Sequence, residues 1–128
     1  MLKSLASTFL FALVLLVGTE AQAGRCTATD NAGKAAKIAA HSWPNHSSEF
    51  VKGNVVARKA YPTKTLASQA DLASKVASIL GGYGTPIADG RTKYWEAATG
   101  TIVIFNSRAA DCGTAFRPNR GKAYYDEQ

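Results

Sequence analysis

Several hydrophobic patterns follow one another along the chain. Phe9 to Val17 is an unbroken apolar run behind Lys3, and Ala21-Gln22-Ala23 follows it as a small-residue cleavage pattern. Residues 1–23 therefore read as a secretory signal that lies outside the fold. Ala32 to Ala40 is alanine and lysine interrupted only by Gly33 and Ile38, and Asp30 and Asn31 precede it. That arrangement predicts a short helix with an N-cap. Pro44 is expected to end it, and Asn45-His46-Ser47-Ser48-Glu49-Phe50 to cap and open a second short helix with His46 at its N-terminus. Gly53 to Lys64 holds Pro62 and no helical period, which reads as an extended connection.

Ser68-x-x-Asp71 has the form of a capping box, and Leu72, Val76, Ile79 and Leu80 follow at helical spacing before Gly81-Gly82. This is the clearest helix in the chain. Beyond the glycines the period changes to two. Arg91–Glu96, Thr101–Phe105 and Thr114–Arg117 read as strands, joined through Ala97–Gly100 and Asn106–Gly113. If Ile102 and Ile104 face the helices, then Thr101, Val103 and Phe105 face away, and the register that would decide this is not legible. Short helices first and a meander last predict an α+β fold, with N-terminal helices packed on a C-terminal antiparallel sheet.

Length and composition then bound the answer. The sequence has 128 residues, room for one domain, which we place at residues 24–128. After residue 23 there are 16 Leu, Ile, Val and Phe against 19 Ala, so the core must be thin. No stretch reaches the ~20 apolar residues of a membrane span, and stable insertion is not expected. Lys+Arg number 15 and Asp+Glu 9, a net charge of +6, and removing Lys3 and Glu20 with the signal leaves it unchanged. Such a domain is drawn to polyanions. The export signal implies an oxidising compartment, secreted or periplasmic, where the only two cysteines, Cys26 and Cys112, have one intramolecular pairing. That disulfide is expected to form.

The candidate chemistry is narrow. No Cys/His set has metal-ligand spacing, His41 and His46 standing five apart without a third ligand, so neither a metal nor a cofactor is expected. Paired-carboxylate, phosphate-loop and nucleophile-elbow motifs do not occur. What remains is histidine, arginine, lysine, threonine and tyrosine on a basic domain, the equipment of a ribonuclease that works without metal. RNA carries its own nucleophile, so the protein has only to move a proton and hold the phosphate. On chemistry alone His46 is as well explained as a capping or surface residue, Arg117 as a strand-end charge and Thr114 as an ordinary strand residue.

Asp89-Gly90-Arg91-Thr92-Lys93-Tyr94-Trp95, then Thr99-Gly100-Thr101-Ile102-Val103-Ile104, then Asp111-Cys112-Gly113-Thr114-Ala115-Phe116-Arg117-Pro118 and Gly121 to Asp126 form an ordered series. With His46-Ser47-Ser48-Glu49-Phe50 upstream, it resembles the C-terminal ribonuclease domains of bacterial polymorphic and contact-dependent-inhibition toxins, of the barnase/EndoU/colicin/RelE superfamily. The resemblance implies N-terminal helices against an antiparallel sheet and cleavage of RNA, transfer RNA among the targets. It implies His46 as general acid/base, Arg117 and Arg91 as phosphate-binding cations and Thr114 as a phosphate hydrogen-bond donor. Lys93, Thr101 and Tyr124 fall on the implied substrate surface. The implied partners are an RNA substrate and a cognate immunity or inhibitor protein, with the chain itself a monomer.

Two departures stand out. Such domains usually end long carrier proteins, whereas here a signal peptide precedes the domain. The family tends to have Gly-Gly where this chain has Cys112-Gly113, beside Thr114. A chain that is poorly folded while reduced and active only after export follows as a hypothesis. The competing expectation is a non-enzymatic secreted basic protein that binds or inhibits an acidic partner, in which His46 is dispensable. A polyanion-binding relic of the same fold is a third.

Overall fold

The computed structural model describes residues 24–50 and 65–128, with the backbone of two short strands between them. Residues 1–23, read above as a secretory signal, lie outside the described residues. In chain order the elements are α1 (Asn31–Phe50), β1 (Val55–Val56), β2 (Lys59–Ala60), α2 (Gln69–Leu80), β3 (Thr85–Ile87), β4 (Arg91–Glu96), β5 (Thr101–Asn106), β6 (Gly113–Phe116) and α3 (Lys122–Asp126). β1 and β2 pair with each other within the expected extended connection, the rest of which lies outside the described residues. The fold is α+β: helices precede a four-stranded antiparallel sheet of order β3-β4-β5-β6.

α1 differs from expectation. It runs unbroken through Pro44 for 20 residues instead of splitting in two, which puts His46 in its C-terminal half. Proline removes one backbone donor and crowds the preceding turn. Here the Asn45 side chain turns back and donates to His41 O at 2.7 Å, and Pro44 itself is exposed, so the disturbed turn is partly satisfied and faces water. At the other end Asp30 Oδ1 accepts from Gly33 N at 2.7 Å, the expected cap.

α2 forms as read. Ser68 caps it by accepting from Asp71 N at 3.2 Å, while the Asp71 carboxylate accepts from Ala67 N at 3.0 Å. β3 was not expected. It is three residues long and contains Pro86, so its own pattern is weak. It is paired through Ile87 with Arg91 across a turn in which Asp89 and Gly90 both hold positive φ, a conformation that Asp-Gly favours.

Register settles the faces of the sheet, and it reverses the parity considered above. Val103 and Ala115 join Ala35, Ile38, Phe50, Leu72 and Val76 in the core beneath the helices, with Tyr94 and Phe105 packed against it. Ile102 and Ile104 lie on the opposite face, opposite Trp95 and Phe116, and Lys93 and Thr114 respectively. That face is also covered. Tyr125 of α3 meets Trp95 with ring centroids 6.1 Å apart, and Lys93 Nζ donates to Tyr125 O and Gln128 O at 2.9 and 3.3 Å. Arg120 before α3 and Glu127 after it form an exposed pair, whose hydrogen bond raises the Arg120 pKa and lowers that of Glu127.

The Cys26–Cys112 disulfide is present. It joins the segment before α1 to the loop before β6, and Cys26 N donates to Ser107 O at 3.2 Å beside it. Among the described residues no helix is long and apolar enough to cross a membrane.

Candidate active site

The buried stripe of α1 comprises Ala35, Ile38, Ala39 and Ser42, with Phe50 at its far end. Continued at helical spacing, the same stripe carries His46 and Glu49. Their side chains stand at the rim of the core, 32% and 26% exposed. The stripe therefore runs out onto the free edge of β6.

An edge strand presents backbone N–H groups that need acceptors. α1 supplies two of them: Ser42 Oγ accepts from Ala115 N at 2.8 Å and Glu49 Oε1 from Arg117 N at 2.7 Å. The other Glu49 oxygen, Oε2, lies 2.5 Å from His46 Nδ1. One carboxylate thus ties helix to strand and orients the imidazole. A carboxylate at Nδ1 keeps a proton there and leaves Nε2 as the ring's basic nitrogen, a tautomer assigned from the hydrogen bond.

An open cleft of about 350 Å³ surrounds this pair, lined by His46, Glu49, Phe116, Arg117, Pro118, Asn119 and Tyr124. The His46 and Phe116 rings are 5.7 Å apart, and Tyr124 meets Phe116 edge-on at 5.5 Å. Arg117 is 2% exposed. Its guanidinium lies 4.9 Å from the centre of the Phe50 ring, and its Nε donates to Thr101 Oγ1 at 2.9 Å. The cleft wall therefore holds a cation fixed from behind.

Of the residues expected at a site, His46, Arg117 and Tyr124 come together in this cleft. Thr101 is fully buried and reaches the cleft only through Arg117. Thr114 lies outside it, 3.3 Å from Ser42 Oγ. Arg91 is also outside, its Nε donating to Ala88 O at 3.1 Å. Arg91 faces Asn106 at one end of β5, whereas Arg117 bonds Thr101 at the other, about 17 Å away at strand rise. Lys93 is spent on the carbonyls of Tyr125 and Gln128. Glu49 was missed as a site residue, although its i,i+3 spacing from His46 is a legible helix-face pairing. Ser42 carries no signal, because its role depends on where β6 lies.

The chain matches no family model, no curated protein and no solved structure.

Proposed function

We propose that the protein is an exported endoribonuclease, a toxin or effector acting outside the producing cytoplasm, that cleaves RNA without a metal ion. The observation that carries this reading is the His46–Glu49 pair, 2.5 Å apart, in an open cleft whose wall contains Arg117. His46 Nε2 takes the proton of a ribose 2′-hydroxyl, the 2′-oxygen attacks phosphorus, and the bond from phosphorus to the 5′-oxygen breaks as that oxygen takes a proton from water. The products are a 2′,3′-cyclic phosphate and a 5′-hydroxyl. Glu49 stabilises the imidazolium formed in that step, as a carboxylate behind a catalytic histidine does. Arg117 supplies positive potential toward the phosphorane. The rings of Phe116 and Tyr124 offer a surface on which a base stacks. Net positive charge and a disulfide suit an exported protein that meets a polyanion.

The test is incubation of the oxidised protein, residues 24–128, with total RNA in excess EDTA, beside His46→Ala, with fragments resolved on a denaturing gel. Wild type is expected to give discrete fragments ending in cyclic phosphate, and His46→Ala to cut about 10²- to 10⁴-fold more slowly. Intact RNA beside folded wild-type protein would overturn the reading in favour of a binding protein, and equal cleavage by both would overturn the assignment of His46.

A further inference from the structure

Beneath the helices a line of buried polar side chains leads away from the cleft. Arg117 Nε–H donates to Thr101 Oγ1 at 2.9 Å, Thr101 Oγ1 lies 2.7 Å from Thr99 Oγ1, and the Thr99 hydroxyl donates to Glu96 Oε1 at 2.5 Å. The same Glu96 oxygen is 3.2 Å from Lys75 Nζ on α2. Arg117, Thr101 and Thr99 are each no more than 2% exposed.

The chain has one direction. Each hydroxyl has a single hydrogen. Thr101 accepts from the guanidinium, so its hydrogen goes to Thr99, and the Thr99 hydrogen goes to the carboxylate. Hydrogen bonds arranged head to tail in a dry interior polarise one another. The geometry also restrains the guanidinium, which lies 4.9 Å from the centre of the Phe50 ring and is bonded through Nε to Thr101.

The connection is indirect. Two hydroxyls stand between the guanidinium and Glu96, and Glu96 is shared with Lys75. The Nε side of the Arg117 guanidinium is thereby held in place. We infer that Thr101, Thr99 and Glu96 are positioning residues that orient the Arg117 guanidinium behind the cleft and so set how well it stabilises a phosphorane, an inference that rests on the ribonuclease reading of the cleft.

The test compares Thr101→Val, Thr101→Ser, Thr99→Val and Glu96→Gln in the oxidised protein. Cleavage of an RNA oligonucleotide, thermal melting and the ¹⁵N-resolved Arg117 Nε–H resonance are followed for each. Thr101→Val is expected to lower kcat roughly 10- to 100-fold with little change in KM, and Thr101→Ser to restore it. Thr99→Val and Glu96→Gln are expected to fall between these two. A folded Thr101→Val that keeps the wild-type kcat would overturn the inference, as would a Thr101→Ser no better than Thr101→Val. If Thr101→Val does not fold, Thr99→Val and Glu96→Gln decide: wild-type kcat in both overturns it. If wild type cuts no RNA, the ribonuclease reading fails by itself, and the resonance decides the positioning. A slowly exchanging Nε–H signal kept in Thr101→Ser, shifted in Glu96→Gln and lost in Thr101→Val supports it, and one unchanged in Thr101→Val overturns it.

Discussion

Ser42 and Glu49 stand seven residues apart on one face of α1 and serve the N–H groups of Ala115 in β6 and of Arg117 just after it. Ser42 is fully buried, and removing its hydroxyl leaves the Ala115 N–H unsatisfied. Ser42→Ala is expected to cost about 1–3 kcal/mol in urea unfolding. Glu49 separates two roles that one side chain combines. A glutamine keeps an oxygen for the Arg117 N–H but not the charge that steadies an imidazolium. Glu49→Gln is therefore expected to melt within a few degrees of wild type while cleaving RNA about tenfold or more slowly. The pairing of His46 with Glu49 was legible from helical spacing. The acceptor roles were not, because they exist only where helix meets strand.

At the scale of elements, Pro44 shows how a strong local signal loses to packing. The stripe Ala35, Ile38, Ala39 and Ser42 is buried on one side of it and Phe50 on the other, so continuing the helix secures both contacts. One weakened turn does not outweigh them, since most helix stability in proteins comes from the packed face. Pro44 is exposed and serves no described contact in the cleft. Pro44→Ala is expected to raise stability by about 1–3 kcal/mol in urea unfolding and leave the cleavage rate unchanged. β3 is the reverse case, a strand with almost no pattern of its own that exists because Asp89-Gly90 turns it onto β4. α2 agreed with its sequence because cap, apolar period and terminal glycine all point the same way.

For the whole molecule, the thin core makes the disulfide a large share of stability. Cys26–Cys112 spans a sequence separation of 86 residues, and the chain-entropy model assigns a loop of that length about 4–5 kcal/mol, comparable with the whole stability of a small domain. The bridge also joins the segment before α1 to the residue before β6, the two elements that meet at the cleft. Reduction is expected to shift urea unfolding by that amount, and the reduced protein to cut RNA more slowly than the oxidised form. Equal midpoints and equal rates in both states would remove the disulfide from any part in activation.

Residues adjacent in sequence settled the capped helix α2, the three strands from Arg91 onward and the α+β class, because periodicity and caps are local properties of the chain, and the count of two cysteines settled their pairing. Tertiary structure alone decided which face of β5 lies toward α1 and α2, a choice that depends on strand register and on α3 packing against Lys93, Trp95 and Phe116 of the other face. It also decided that Arg117 and Tyr124 join His46 while Arg91, Lys93 and Thr114 do not. All are polar or cationic residues on or beside the strands, and nothing in their spacing distinguishes them. Long-range contacts do, since a side chain's role depends on which end of the sheet it reaches and on whether water or a hydrogen-bond partner meets it there.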